Sequence, residues 1–319
     1  MNITMIEAAA TRLRGHVLRT PLLNAPLLDR IAGRQVFVKA ESLQVTGSFK
    51  ARGGWAAVSA LPPGTPGVIA MSSGNHAQGV ARAASGHGIA SVILMPEDAP
   101  QVKIANTRAW GGEVVLYNRA AEDRDAIATR IATERGYALI PPYDHAEVIA
   151  GQGTVGLEIA EQAQEAGLAR ADVLVPCGGG GLSSGVALAL QARAPGLRLR
   201  TAEPEGFDDM ARSLAAGERL RNPALTGSVC DAILTPIPGK MTFPLLSALA
   251  GPGLVVSDSE ALEAVTLAFR HLRLVLEPGG AVALAAALFR PDLPDQVICI
   301  ASGGNVSEDL FRDCLTKAS

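Results

Sequence analysis

Val173-Leu174-Val175-Pro176-Cys177-Gly178-Gly179-Gly180-Gly181-Leu182 is a short apolar run that stops in four consecutive glycines, and the residues from Leu182 to Gln191 then read as an apolar helix. Strand, glycine turn and helix in that order make the βα step of a parallel α/β sheet. Four residues without Cβ atoms allow successive backbone N–H groups to turn toward one anion, and the following helix adds its positive end. No Gly-Lys-Ser/Thr follows, so the turn is not a P-loop, and Ser183 stands where a dinucleotide fingerprint needs its third glycine. The plainer alternative is a tight strand–helix turn that binds nothing.

The same step recurs on both sides. Val36–Val38, Val68–Met71, Ser91–Met95, Val114–Tyr117, Ala138–Ile140, Leu197–Ala202 and Val297–Ala301 read as strands. Helices are predicted from about Ala77 to Ala84, stopped by Gly86 and Gly88, and from about Glu122 to Arg135. Leu alternates with Arg in 197–200, which predicts one exposed face for that strand. Ser257 and Glu260 have capping-box spacing and open an apolar helix that Pro278-Gly279-Gly280 is expected to break, with a second beginning near Ala281. Pro62 to Gly67 reads as a linker, and Pro141-Pro142 to Gly151-Gln152-Gly153 as another. The expected organisation is α/β with two open parallel-sheet domains. A smaller one, residues 64–147, is inserted into a larger one made of 1–63 and 148–319.

The 319 residues are 48% apolar and 18% charged, which fits a well-buried globular enzyme rather than a disordered chain. A net charge of −3 without a basic patch argues against a nucleic-acid partner. No apolar run approaches the roughly 18 residues of a membrane span, and the N-terminal residues lack the pattern of a signal peptide, so no membrane role and a cytoplasmic location are expected. Cys177, Cys230, Cys299 and Cys314 form no Cys-x-x-Cys pair and read as small core residues; His16, His87, His145 and His271 read as structural or exposed.

Chemistry gathers elsewhere. Lys50 ends Thr46-Gly47-Ser48-Phe49-Lys50 among small and apolar neighbours, where loss of water would free its amine to form an imine. Ser72-Ser73-Gly74-Asn75-His76 sits at a strand-to-helix turn whose hydroxyls and helix N–H groups suit a carboxylate, with simple N-capping as the alternative. Ser302-Gly303-Gly304-Asn305 follows the last strand. Loops at the carboxyl ends of parallel strands converge on one crevice. One lysine with phosphate-cradling loops makes pyridoxal phosphate (PLP) the leading cofactor candidate.

These stretches, with Glu41-Ser42-Leu43-Gln44, Ile149 to Thr154 and Ala202-Glu203-Pro204, resemble the fold-type II PLP enzymes of the serine/threonine dehydratase and serine racemase family, in the family's order and over most of the chain. The resemblance implies the tryptophan-synthase-β-like fold. It implies that Lys50 holds PLP as a Schiff base, that Phe49 packs near the ring and that Asn75 bonds the ring hydroxyl. Gly178, Gly179, Gly180 and Gly181 would bind the phosphate, and Ser302 would face the pyridine nitrogen. Ser72, Ser73, Asn75 and His76 would seat the substrate carboxylate. Ser73 matches the acid/base serine of racemases, or binds carboxylate alone. Arg124 loosely matches a substrate-contacting arginine, with a solvated helix charge as the alternative. Glu203, the Phe207 carbonyl and Asp209 resemble a divalent-cation loop for Mg²⁺ or Ca²⁺, with an acidic surface loop as the alternative. Three positions depart from the family pattern: Phe207 is bulky, Gly279 replaces a frequent Ser or Thr, and Tyr143 stands where racemases tend to have Asn.

The activity implied is an ammonia-lyase acting on a small β-hydroxy-amino acid, L-serine or L-threonine first. The alternatives are a serine or aspartate racemase and a 3-hydroxyaspartate dehydratase, and, in a different class, a binding protein without catalysis. A homodimer is expected. Little chain follows the last predicted helix, so no C-terminal regulatory domain of the threonine-deaminase kind is expected.

Overall fold

The computed structural model describes residues 1–99, 101–118 and 121–317. Among the described residues ten strands are seen: β1 (Leu22–Asn24), β2 (Gln35–Lys39), β3 (Gly67–Met71), β4 (Ala90–Pro96), β5 (Glu113–Tyr117), β6 (Ala138–Leu139), β7 (Ala171–Pro176), β8 (Leu197–Pro204), β9 (Leu254–Val256) and β10 (Gln296–Ile300). They form a six-stranded sheet of order β1-β2-β10-β7-β8-β9 and a four-stranded sheet of order β5-β4-β3-β6. Every pairing is parallel except β1 with β2. The four-stranded sheet lies wholly within the chain between β2 and β7, so the smaller parallel-sheet domain interrupts the larger one. Every residue of β7 is buried, as expected of a strand covered on both faces by helices.

The tetraglycine step is as the sequence implies: β7 feeds the helix Gly181–Arg193. The capping box of Ser257 and Glu260 is present and opens the helix Asp258–Leu272. Among the described residues, no helix is long and apolar enough to cross a membrane. All four cysteines are buried, as expected of small core residues.

Three sequence expectations are corrected. The stretch expected to link domains near residues 146–153 is the start of a 20-residue helix, Ala146–Glu165. Its glycines are packing devices: a Cβ on Gly151 would meet Arg52 O at 2.6 Å, and one on Gly153 would meet Gly185 O at 2.9 Å. Glycine costs about 1 kcal/mol against alanine in a helix, and here the close helix–helix approach offsets it. Pro278-Gly279-Gly280 does not break a helix. The preceding helix has already ended at Leu272, with Arg273 left-handed at φ 61°, and Pro278 opens the next helix, Pro278–Phe289. Proline loses nothing at the first helical position, where its absent N–H would be unpaired. The Leu/Arg alternation of β8 does not mark an open face. Arg198 is exposed, but Arg200 is buried and donates to Pro252 O at 2.8 Å, in a strand flanked by β7 and β9.

Candidate active site

Lys50 is the first residue of the helix Lys50–Ser59, which the strand and helix patterns of the sequence do not mark. The loop before it is fastened to the loop after β10. Ser48 bridges Gly303, Phe49 N–H donates to Ser302 O at 3.1 Å, and Gly304 N–H donates to Gly47 O at 2.9 Å. Gly47 makes this turn at φ +72°, a conformation that disfavours a side chain. Two residues beyond Lys50, the buried Arg52 binds Glu41 through both carboxylate oxygens, at 2.7 and 2.8 Å, and reaches Glu158 at 2.6 Å. Lys39 completes the cluster on Glu158 at 2.5 Å. The start of the Lys50 helix is therefore anchored at both ends of its first turn.

The Lys50 amine donates to Pro142 O at 2.6 Å and lies 5.1 Å from the Phe49 ring centroid. Burial lowers its pKa to about 8, so a free-base fraction exists near neutrality. It faces a cavity of about 210 Å³ between the two sheets. Phe49, Ser72, Ser73, Asn75, His76, Gly178 to Gly181 and Ser302 all line that cavity with Lys50. The structure thus gathers the three Gly/Ser loops and the lysine in one crevice.

Within it, the N–H groups of Gly178, Gly179 and Gly180 find no backbone carbonyl among the described residues. Gly180 caps the following helix at φ +90°, and a Cβ on Gly179 would strike the Tyr143 ring. Thr235 Oγ1 and both polar side-chain atoms of Gln152 are buried without partners among the described residues near this loop. Unpaired donors at a helix start suit a phosphate, so the residues present fit the group that the sequence suggested.

Ser72 Oγ accepts from Gly74 N–H at 3.2 Å, and the helix Asn75–Gly86 begins without a side-chain cap, leaving its first N–H groups for an anion. His76 Nε2 bonds Ile140 O at 2.8 Å, while Nδ1 is buried and unpaired. Burial, with Lys50 nearby, lowers its pKa to about 3. The ring is neutral, donates to Ile140 through Nε2 and leaves Nδ1 as an acceptor, so a carboxylate here would be received by backbone N–H rather than by the imidazole.

Two groups of expected residues lie outside the crevice. Arg124 opens the helix Arg124–Arg135 and is half exposed. It lines a neighbouring hollow with Arg219 and Lys240, separated from the crevice by Pro142 and Tyr143, which line both. Glu203, Phe207 and Asp209 sit behind the glycine loop. They are buried, which removes the surface-loop alternative. Glu203 accepts from Met210 N–H at 2.9 Å and Ala211 N–H at 2.7 Å. Asp209 Oδ1 takes Asn222 Nδ2 at 2.7 Å, while its Oδ2 is buried and unpaired. Burial pushes Asp209 up to about 6, and burial beside Asp209 pushes Glu203 up as well. An unpaired carboxylate oxygen next to a second buried acid suits a cation, although among the described residues no cluster of three or more His, Cys, Asp or Glu forms a metal site.

The sequence reading missed three ionisable crevice residues. Glu277 is one, although an acid just before Pro at a helix start is a recognisable signal. Lys103 and Asp231 form an ion pair of 2.9 Å across the crevice, from the helix Gln101–Ala109 and the 3₁₀ turn Asp231–Ile233. Nothing in their local sequence marks them. Gly279 lies behind that wall: a Cβ there would touch Ala232 at 3.3 Å, so the departure affects what supports Ala232 and Ile233.

The family model for pyridoxal-phosphate dependent enzymes matches residues 13–303. The chain is 37% identical to a serine racemase of Oryza sativa subsp. indica, covering 99% of this chain and 94% of that one. It is 40% identical to an L-threo-3-hydroxyaspartate ammonia-lyase of a Pseudomonas species, over 96% of each. The solved threonine deaminase of T.th. superimposes with a TM-score of 0.92 at 44% identity, covering 96% of this chain and 99% of that one.

Proposed function

The chain belongs to the pyridoxal-phosphate dependent enzyme family, in its fold-type II branch, and from that membership we propose that it eliminates water and then ammonia from a small β-hydroxy-amino acid, L-serine or L-threonine first, to give a 2-keto acid. The observation that carries this reading is the Lys50 amine. It lies half-buried in the crevice with its pKa lowered by loss of water, and its hydrogen bond goes to the Pro142 carbonyl rather than to a carboxylate. Such an amine can take a Cα proton.

PLP, when bound, supplies an electron sink for the carbanion at Cα. Gly178 to Gly181 would hold its phosphate by backbone N–H, and Ser302 would meet the ring nitrogen. A neutral hydroxyl there does not enforce ring protonation, which favours prompt loss of the β-hydroxyl over a long-lived carbanion. The 72–76 turn would hold the substrate carboxylate through Ser72, Ser73 and the N–H groups of Asn75 and His76. Lys50 would remove the Cα proton, the β-hydroxyl would take up a proton from a neighbouring donor and leave as water, and the released enamine would hydrolyse with water to keto acid and ammonia. Glu203, the Phe207 carbonyl and Asp209 would hold Mg²⁺ or Ca²⁺ behind the glycine loop and so stiffen it.

A second reading is racemisation. Ser73 lines the crevice on the side of the four-stranded sheet, while Lys50 leads in from the other, and an acid/base on each face of Cα is what racemisation needs. Purified protein loaded with PLP would be given L-serine, L-threonine and L-threo-3-hydroxyaspartate, with Mg²⁺ or with chelator. Keto acid from L-serine or L-threonine, reduced by chelator and by Asp209→Asn, supports the proposal. D-serine formed faster than pyruvate sinks it in favour of the racemase, and keto acid from 3-hydroxyaspartate alone moves it to that substrate.

A further inference from the structure

Asn75 reaches the crevice from the four-stranded sheet, yet both ends of its side chain are held by residues of the larger domain. Its Nδ2 donates to Glu277 Oε1 at 2.5 Å, and its Oδ1 accepts from Asn305 Nδ2 at 2.6 Å. Asn305 Nδ2 also donates to the Thr46 carbonyl at 2.9 Å. A backbone carbonyl can only accept, so this last bond fixes which end of the Asn305 amide is nitrogen. Polarity then runs one way along the chain. Both Asn305 N–H bonds are committed, Asn75 must offer its oxygen to Asn305, and its nitrogen must face Glu277.

We propose that Glu277 is a positioning residue: its Oε1 closes this chain as an acceptor, so that Asn75 offers its remaining N–H, and not its carbonyl, to the crevice. The inference rests on the PLP reading, in which that N–H would meet the oxygen of the cofactor ring.

The fold makes room for the arrangement. Glu277 is buried, and its own N–H donates to Gly303 O at 3.1 Å. A Cβ on Gly303 would collide with Glu277 Oε1, and one on Gly47 would meet Asn305 Oδ1 at 2.5 Å. Burial pushes the Glu277 carboxyl up to about 7, with Asn75 pulling it down, and Asp231 and Lys103 are the other charges near it. Charged or neutral, the carboxyl keeps an oxygen that accepts from Asn75, so the orientation survives titration. Glu277 thereby also ties the turn of the small domain to the loop after β10, where the larger domain meets it.

Glu277→Ala, Glu277→Gln and Asn305→Asp would be compared with the unaltered protein by PLP titration, by the absorbance of the bound cofactor and by melting temperature. Glu277→Ala is expected to bind PLP roughly tenfold more weakly, the size of one hydrogen bond to an ionisable group, and to shift the absorbance band. Glu277→Gln keeps an acceptor oxygen and is expected to stay within about twofold, with the band unmoved. Asn305→Asp removes the donor and is expected to behave like Glu277→Ala. Equal losses in Glu277→Ala and Glu277→Gln, or an unmoved band in both Glu277→Ala and Asn305→Asp, overturn the proposal. If Glu277→Ala does not fold, the contrast between Glu277→Gln and Asn305→Asp decides in the same way. Unaltered protein that binds no PLP overturns the proposed function and this inference together, whereas normal binding with an unaffected Glu277→Ala overturns this inference alone.

Discussion

Lys50 and Arg52 share one helical turn and have opposite tasks. Arg52 is tied to Glu41 and Glu158 by several hydrogen bonds, whereas Lys50 has a single carbonyl and an aromatic face. The immobile guanidinium fixes the helix, and the loosely held amine is left free to react. Burial favours the neutral amine, which is the form that condenses with an aldehyde, so the free fraction grows as pH rises. Capture of PLP by cofactor-free protein is expected to accelerate up to about pH 8 and then level off, rather than climbing to the pKa of a solvated lysine. Stopped-flow absorbance would follow it, and a rate still rising steeply at pH 10 would refute the lowered pKa. Lys50 was legible in the sequence because Thr46 to Lys50 is a distinctive local string. The role of Glu277 was not, because Asn75, the side chain it holds, lies 202 residues away along the chain.

Tyr143 is packed against the glycine turn. Gly179 has the tyrosine ring where its side chain would be, and Gly180 is left-handed at φ +90°. Gly179→Ala is expected to weaken PLP binding by tenfold or more and to lower the melting temperature, with a core-clash cost of about 1–3 kcal/mol. Adding Tyr143→Ala should recover much of the lost stability, since the ring is the obstacle. Calorimetry on the single and double variants measures this, and an additive outcome would show that the ring is not what excludes the side chain. The strand–glycine–helix step needed only local pattern to be read. The glycines of the Ala146–Glu165 helix misled the sequence reading because glycine signals a turn and a close helix approach equally well. Only the position of Arg52, Ala56 and Gly185 on neighbouring helices tells the two apart.

Across the whole molecule, the crevice lies between two sheets that share no strand pairing. Besides the Asn75 chain, Lys103 and Asp231 join its two sides by an ion pair with Asp231 largely exposed. Such a pair is worth at most about 1 kcal/mol, so Lys103→Met is expected to leave the melting temperature nearly unchanged. Its effect should fall on closure around substrate, raising KM several-fold with a smaller change in kcat. Steady-state kinetics beside a thermal melt tests this, and a large loss of stability with an unchanged KM would contradict it. What the sequence determined by itself was whatever one segment can encode: alternation of strand and helix, an inserted smaller sheet, a reactive lysine, and glycine turns where backbone N–H groups stay free. The tertiary structure alone decided which distant side chains meet: Glu277 with Asn75, Lys103 with Asp231, Tyr143 with Gly179, and Arg124 away from the crevice. Backbone geometry and hydrophobic period are local properties of a chain, whereas hydrogen-bond partners and steric neighbours exist only after the two sheets have been brought together.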